Sequence, residues 1–251
     1  MTQRTGTSVR ADPEWSEVLD GRNTPLGDLL LQRRAVPSLG PEAVAIEVHL
    51  DHQMLMSSLV NQAEIALADL GLAPLAGRPL DVLVGGLGLG HTAAAALAHP
   101  DVASLLVVEY LDDVIRWHRT GLVPLGESLC ADPRCRILHE DFFGLVARDA
   151  GLDPENPERR FDAILVDIDH SPDSVLDGPA RGFYAPDGLR RLLPSLRPGG
   201  VFALWSFEPP AAAFLDSLAA VFPRHEVHEV AFDNPIGGYE DTNTIYVARA
   251  P

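Results

Sequence analysis

The chain is poor in cysteine, has no lysine and lacks any long hydrophobic run. Its two cysteines, Cys130 and Cys135, are close together without the partners or spacing of a zinc site, so we expect free thiols and no metal. No segment approaches the roughly 20 consecutive apolar residues that a membrane span requires. The N-terminal segment also lacks the apolar core of a signal peptide. These absences predict a cytoplasmic protein that makes no membrane contact.

Positive charge is also scarce. The 19 basic residues are all arginines, and 36 acidic residues outnumber them, which leaves a formal net charge of −17. Coulomb repulsion between such a surface and a polyanion opposes nucleic-acid binding, so DNA and RNA are excluded as expected partners. A small-molecule acceptor is expected instead. The negative field favours a cationic amine as one option, although acidic surfaces also serve solubility alone.

With 251 residues, 46% of them hydrophobic, the chain can bury the core of one globular unit. Residues 1–22 lack periodicity and are predicted to form a flexible arm. Residues 23–57 contain two apolar runs, 26–33 and 44–50, separated by a Pro-Ser-Leu-Gly turn, which predicts a small β-hairpin region. Residues 58–251 open with apolar residues at helical spacing and form the predicted main domain.

Strand and helix signals alternate from Asp81 onward. The predicted strands are DVLVGG, SLLVVEY, CRILHEDFF, FDAILVDID and VFALWSF, with helical segments between them. This alternation predicts an α/β fold with a doubly wound, Rossmann-like sheet of parallel strands. The closing segments HEVHEVAF and TNTIYVARA are predicted to pair antiparallel at the edge of that sheet.

A glycine-rich loop, GGLGLGHT, follows the first of these strands and opens a helix. Glycine lets the backbone turn sharply and approach a ligand, and a helix N-terminus offers free N–H groups. Glu109 ends the next strand, 19 residues after Gly90. A carboxylate at that place can accept hydrogen bonds from both hydroxyls of a ribose. The two signals together predict a nucleoside site.

Acidic residues also end the following two strands. Asp141 could accept a hydrogen bond from the amino group of an adenine base while the neighbouring Phe142 ring packs against that base. Alternatively, Asp141 could be the N-cap of the next helix. Asp167, Asp169 and His170 follow the fourth strand, at the sheet edge where open α/β sheets bind ligands. Histidine titrates near neutral pH, which suits His170 to a general base that Asp167 or Asp169 orients.

Over residues 25–250 the chain resembles the spermidine synthase family of aminopropyltransferases, a branch of the class I S-adenosylmethionine-dependent methyltransferase fold. The segments that carry the resemblance are LDHQMLMSS with Glu64, GGLGLGHT, VVEY, EDFF, FDAILVD, FYAPDGLRRLLPSLRPGGVFAL and the final IYVA. The resemblance implies that Glu109 binds ribose, that Asp141 binds adenine and that Asp167 deprotonates an attacking amine. It also implies a homodimer or homotetramer.

The chain departs from the family's pattern at three places. Gly88 stands where the family's glycine loop carries an aspartate, and His170 stands at the second aspartate of the family's D-x-x-D. Gln62 and Ala63 replace the two residues that precede the family's helix glutamate. Two contacts to a substrate amine are therefore missing or altered.

The candidate residues fall into three groups. The candidates for cofactor binding are Gly86, Gly88, Gly90, Glu109, Tyr110, Asp141, Phe142 and Asp167. The candidates for catalysis are Asp167, Asp169 and His170, and those for acceptor binding are Asp169, Tyr184 and Glu208.

Three functions are consistent with these residues. The first is a transferase that methylates or otherwise alkylates a small molecule with S-adenosylmethionine. The second is an aminopropyltransferase that uses decarboxylated S-adenosylmethionine. The third is a nucleoside-binding protein without transfer activity. We expect methyl transfer first, because Gly88 removes an acid that would hold the ammonium of the decarboxylated cofactor.

Overall fold

The computed structural model of the protein describes residues 15–168, 171–174 and 178–251, which form two β-sheets. The smaller sheet contains β1 (Ser16–Thr24), β2 (Gly27–Ala35), β3 (Val44–Leu50) and β4 (Gln53–Ser57), paired antiparallel in chain order. The pairing of β2 with β3 matches the hairpin expected from the two apolar runs. Asp51 and His52, both with positive φ, make the tight turn from β3 to β4.

Strand β1 differs from the sequence-based expectation, because residues 16–22 were assigned to the flexible arm. In the structure they pair with β2 and extend the sheet. The segment SEVLDGRNT is mostly polar and lies exposed at the sheet edge, so it carries little of the apolar alternation by which a strand is recognised. The folded region therefore begins before residue 23.

The larger sheet has seven strands flanked by helices. Its strands are β5 (Leu80–Gly85), β6 (Val102–Glu109), β7 (Cys135–His139), β8 (Phe161–Val166), β9 (Leu196–Ser206), β10 (Arg224–Asn234) and β11 (Tyr239–Arg249). The helices are α1 (Gln62–Leu72), α2 (His91–Ala98), α3 (Asp112–Arg119), α4 (Gly126–Ala131), α5 (Phe142–Arg148), α6 (Pro186–Arg190) and α7 (Ala212–Ala219). Within the described ranges, no helix has the length and apolar character needed to cross a membrane.

The strand order of the larger sheet is β10-β11-β9-β8-β5-β6-β7. Strands β5 to β9 run parallel, and β10 and β11 are antiparallel at one edge, as the sequence predicted. From β5 the chain moves outward to β6 and β7 and then returns to β8 on the other side of β5. The order therefore reverses between β5 and β8, and open α/β sheets bind ligands at the carboxyl ends of the strands at such a point. The predicted doubly wound α/β fold is confirmed.

The smaller sheet packs onto the larger unit through one continuous apolar cluster. Leu29 and Leu31 of β2 and Val48 and Leu50 of β3 belong to the same buried cluster as residues of β5 and α3. A partly buried polar contact helps to fix the position of β1: the indole Nε1 of Trp117 donates to Asp20 Oδ2 over 2.7 Å. The guanidinium of Arg116 donates to the same carboxylate oxygen. The smaller sheet is thereby held over the carboxyl ends of the strands.

Candidate nucleoside and transfer site

A cavity lies at the carboxyl ends of β5, β6 and β8, beneath the smaller sheet. Its lining includes seven of the eight residues predicted to bind a cofactor: Gly86, Gly88, Glu109, Tyr110, Asp141, Phe142 and Asp167. The smaller sheet and the turn that enters it supply an apolar wall made of Leu26, Leu29, Val48, Leu50, Leu55 and Met56. The structure thus brings residues that are far apart in the sequence to one place.

The glycine loop between β5 and α2 approaches its neighbours too closely for side chains. Gly86 has φ +95°, and a Cβ atom there would lie 2.0 Å from the carbonyl oxygen of Asp167. Gly88 has φ +49°, and a Cβ atom there would lie 2.8 Å from Met56 Sδ. Both glycines therefore expose backbone to the cavity. Gly90 lies outside the lining, since it is the buried N-cap residue of α2 with φ +92° and packs against Leu129 and His118.

Glu109 is held rigidly at the end of β6. Glu109 is only 8% exposed. Its side chain accepts two backbone hydrogen bonds: Leu87 N donates to Oε2 over 2.9 Å, and Leu111 N donates to Oε1 over 2.8 Å. Burial raises the pKa of Glu109, although these backbone hydrogen bonds oppose the shift. Because Glu109 also lines the cavity, its carboxyl oxygens face the space where the hydroxyls of a ribose could donate to them.

The base-binding part of the cavity follows β7. Asp141 immediately precedes α5, yet within the described residues its side chain makes no capping hydrogen bond. Phe142 is 2% exposed, and its ring covers Gly85, where a Cβ atom would lie 3.1 Å from the ring. Ile168 and Ala180 complete this end. An apolar slot with one free acceptor beside it suits a flat base that carries an amino group.

Asp167 lies at the end of β8 and belongs to a cluster of polar groups. Its Oδ2 accepts a 2.6 Å hydrogen bond from Thr92 Oγ1, and Thr92 is 3% exposed. Burial raises the pKa of Asp167 to about 6, against the Thr92 hydrogen bond, which lowers it. Burial, with the nearby charge of Asp167 as a second cause, raises the pKa of Glu64 on α1 to about 8. The two carboxyl groups therefore titrate as an interacting pair that readily holds one proton.

Several predicted residues are not part of this lining. Tyr184 is 6% exposed and packs in an aromatic cluster against Phe183, Phe214 and Phe143, the last of which lines the cavity. Its predicted role in acceptor binding stays a prediction. Glu208 is exposed, and its backbone carbonyl oxygen accepts hydrogen bonds from the hydroxyl groups of Ser206 and Thr244. Asp169 and His170 lie outside the described residues, so their predicted roles stay predictions.

Sequence reasoning did not identify three contributors to the site. The apolar wall from the smaller sheet resembles ordinary core residues in sequence. Thr92 follows the glycine loop directly, and that adjacency was the available signal for it. His118 lies beneath the loop, 1% exposed, with its Nε2 2.9 Å from the carbonyl oxygen of Gly88. No pattern in α3 indicated that this histidine would support the glycine loop.

The residues present fit an adenosine-type cofactor that carries a positive centre. Glu109 offers acceptors for a ribose, and Asp141 and Phe142 flank a slot for the base. The acidic side chains in the lining are Glu109, Asp141 and Asp167, and among the described residues no basic side chain lines the cavity. A sulfonium is therefore favoured over a phosphate there. The described part of the chain contains no cluster of three or more side chains placed to hold a metal ion.

The fold is a Rossmann-like methyltransferase fold with an added N-terminal sheet, like that of solved spermidine synthases. The spermidine synthase of Thermotoga maritima superposes with a TM-score of 0.67 and 18% identity over 93% of this chain and 73% of that protein. A spermidine synthase in complex with the transition-state analogue AdoDATO superposes with a TM-score of 0.69 and 18% identity, over 99% and 84% of the two chains. At this identity the likeness concerns the fold.

Sequence comparison points the same way. The chain is 31% identical over 153 residues to polyamine aminopropyltransferase 2 of Pseudomonas aeruginosa, which is 59% of this chain and 41% of the relative. It is 35% identical over 130 residues to the polyamine aminopropyltransferase of Prochlorococcus marinus, or 52% of this chain and 41% of the relative. The chain thus matches about two fifths of the length of these relatives. No protein-family model matches it. The predicted resemblance to the spermidine synthase family is confirmed.

Proposed function

We propose that the protein is a transferase that binds decarboxylated S-adenosylmethionine and passes its aminopropyl group to a small amine. The observation that carries the proposal is a cavity at the carboxyl ends of the strands whose charged lining residues, Glu109, Asp141 and Asp167, are all acidic. Asp167 also forms an interacting carboxyl pair with Glu64. The named relatives favour aminopropyl transfer over methyl transfer. This reverses the order expected from the sequence, where the absence of an acid at Gly88 placed methyl transfer first.

Binding is assigned to three elements of the chain. Glu109 would accept the ribose hydroxyls, and Asp141 with Phe142 would receive the base. The glycine loop would then face the part of the cofactor beyond the ribose, because Gly86 lies directly against Asp167. When bound, the cofactor supplies a carbon made electrophilic by the adjoining sulfonium.

The carboxyl pair would prepare the nucleophile. An amine arrives largely as an ammonium ion near neutral pH and must lose a proton before its nitrogen lone pair can form a bond. Asp167 can accept that proton while Thr92 holds its Oδ2 in place. The new carbon–nitrogen bond forms as the carbon–sulfur bond breaks, so the sulfonium becomes a neutral thioether. Because burial raises the pKa values of both acids, the pair can hold the proton and then release it to solvent.

The reaction is tested by incubating the purified protein with putrescine and either decarboxylated or intact S-adenosylmethionine. Mass spectrometry of the amine then distinguishes the addition of an aminopropyl group from the addition of a methyl group. Aminopropylated product from the decarboxylated cofactor supports the proposal, whereas a methylated product with the intact cofactor contradicts it. Tight nucleoside binding without either product across a panel of diamines would instead identify a binding protein.

A further inference from the structure

A buried histidine contacts the glycine loop from outside the cavity. His118 lies near the end of α3 and is 1% exposed. Its Nε2 lies 2.9 Å from the carbonyl oxygen of Gly88, a residue that lines the cavity. His118 itself does not belong to that lining. The ring can therefore act on a bound nucleoside through the loop rather than by direct contact.

The hydrogen bond to Gly88 decides which ring nitrogen carries the proton. A carbonyl oxygen can only accept, so Nε2 must donate, and the neutral ring then has no proton on Nδ1. Nδ1 is buried, and within the described ranges it has no hydrogen-bond partner. A second proton would be a buried donor without an acceptor, and burial lowers the pKa of His118. The ring is thus a neutral donor directed at Gly88.

Close packing on two sides keeps the histidine in this place. A Cβ atom at Gly90 would lie 2.9 Å from His118 Cε1, so the last glycine of the loop lies directly against the ring. A Cβ atom at Gly126 of α4 would lie 2.5 Å from the backbone carbonyl oxygen of His118. The ring therefore has little freedom to turn away from Gly88.

The same part of the loop also holds Glu109. Leu87 N donates to Glu109 Oε2 over 2.9 Å, and a backbone hydrogen bond from Gly88 also opposes the rise in the pKa of Glu109. Gly88 thus contacts Glu109 through its N–H and His118 through its carbonyl oxygen. Only the two backbone torsions of Gly88 separate these contacts, and glycine restricts them less than any other residue. Without a partner for that carbonyl oxygen, the loop can turn away from Glu109.

We propose that His118 is a positioning residue of the nucleoside site, which orients the glycine loop so that its N–H groups hold Glu109 in place for a ribose. The proposal rests on the proposed function, since it concerns the nucleoside of that site. Replacement of His118 then weakens nucleoside binding without removing any atom that lines the cavity.

Two variants separate the hydrogen bond of His118 from its packing. His118→Gln retains an N–H donor, whereas His118→Met has a side chain of similar length without one. Calorimetric titration with 5′-methylthioadenosine measures their affinities. His118→Met should bind at least about fivefold more weakly than wild type, the effect of one buried polar group without its partner, and His118→Gln should stay within about twofold. Equal affinities in wild type and His118→Met, or equal losses in both variants, overturn the proposal.

The matched control is His225→Met. His225 Nδ1 also lies near a backbone carbonyl oxygen, that of Phe222 at 3.2 Å, but His225 is outside the cavity lining. The variant should bind 5′-methylthioadenosine as wild type does. An equal loss of affinity in His225→Met and His118→Met would show a general effect of histidine removal and would overturn the proposal.

Combination with Glu109→Gln tests whether the effect passes through Glu109. If the loop acts by holding that carboxylate, His118→Met should cost less affinity in the Glu109→Gln background, by about twofold or more, because coupled residues are not additive. A loss of the same size in both backgrounds contradicts the proposed route and overturns the proposal.

A measurement on the wild-type protein covers the case in which His118→Met does not fold. Imidazole nitrogen chemical shifts of isotope-labelled protein distinguish the two neutral tautomers from the charged ring, and the signal missing from His118→Gln assigns the residue. We expect a proton on Nε2 and none on Nδ1 near neutral pH; the opposite tautomer or a charged ring overturns the proposal. If 5′-methylthioadenosine does not bind the wild-type protein, the proposed function fails as well. If it binds wild type and His118→Met equally, the positioning role alone fails.

Discussion

The two ends of the seven-stranded sheet carry similar numbers of acidic residues in opposite electrostatic settings. At the amino ends of the strands, Asp81, Asp153 and Asp162 are each bound by arginine. Arg159 reaches Asp81 over 2.6 Å and Asp153 over 2.9 Å, and Arg78 reaches Asp162 over 2.7 Å. At the carboxyl ends, no basic side chain of the described residues pairs with Glu64, Glu109 or Asp167.

The pKa directions follow from this difference. Burial alone would raise the pKa of Asp153, but hydrogen bonds from Arg136 and Arg159 hold it below its ordinary value. Burial raises the pKa values of Glu64 and Asp167, and no arginine compensates. A protein that leaves buried acids without cations loses stability, so such acids mark a place where a positively charged ligand belongs. We therefore expect the arginine-paired acids at the amino end to stabilise the sheet and the unpaired acids at the carboxyl end to serve the proposed function.

The largest expected effect is on turnover. Asp167→Asn removes the proton acceptor and should lower kcat by about 100- to 10,000-fold, the usual contribution of a general base. Affinity for the nucleoside should stay nearly unchanged, because Asn keeps the shape of Asp. Initial rates and calorimetric titration measure the two quantities.

The matched control is Asp162→Asn, which makes the same change at the other end of β8. It should lower the melting temperature and leave kcat unchanged, since Asp162 contacts Arg78 and Arg197 far from the cavity. If Asp167→Asn retained wild-type turnover, Asp167 would not be the proton acceptor of the reaction.

The second prediction concerns stability. Asp153 is 2% exposed and pairs with both Arg136 and Arg159. Asp153→Asn removes this buried charged partner from the two arginines. The expected loss is about 3 kcal/mol of unfolding free energy, at the lower end for a buried pair because both arginines keep a second acidic partner. Thermal unfolding measures it, with exposed Asp149→Asn as the control. Nucleoside affinity should not change, and a change there would contradict the separation of the two ends.

The third prediction concerns nucleoside affinity. Glu109→Gln should weaken binding of adenosine thioethers by about 10- to 150-fold, since hydrogen bonds to a charged acceptor contribute about 1.5–3 kcal/mol. The melting temperature without ligand should change little. Glu155→Gln, at the amino end and outside the cavity, is the control for the loss of a glutamate charge. Equal affinities in wild type and Glu109→Gln would exclude this residue from the ribose site.

The smallest effect is on the pH dependence of stability. Because the folded-state pKa of Glu64 is raised to about 8, the folded protein holds a proton that the unfolded chain releases above about pH 4.5. Stability should therefore fall as pH rises from 4.5 toward 8. Glu64→Gln should lack this part of the decline and therefore melt at a higher temperature than wild type at pH 8. Parallel pH profiles for the two proteins would contradict the raised pKa.

Much of this architecture could be predicted from local patterns. The apolar runs of β5, β6 and β8 are continuous because these strands are buried on both faces, which makes them easy to recognise. The carboxylates Glu109 and Asp167 then follow at strand ends, where the parallel topology brings them together. Strand β1 was missed because it is polar and exposed. The burial of Tyr184 could not be predicted, because an aromatic residue near a loop does not reveal in sequence whether its ring is buried.

The sequence by itself determined the order of elements, the parallel sheet and the acids that end its strands, because these depend on short-range periodicity and on residue type. Only the tertiary structure decided which acids have cations, since Arg159 and Asp81 are 78 residues apart and meet through strand order alone. It also decided that Met56 covers Gly88 and that Glu64 interacts with Asp167. Those contacts join segments whose spacing in the chain carries no periodic signal, and they arise from how the smaller sheet and α1 pack onto the larger sheet.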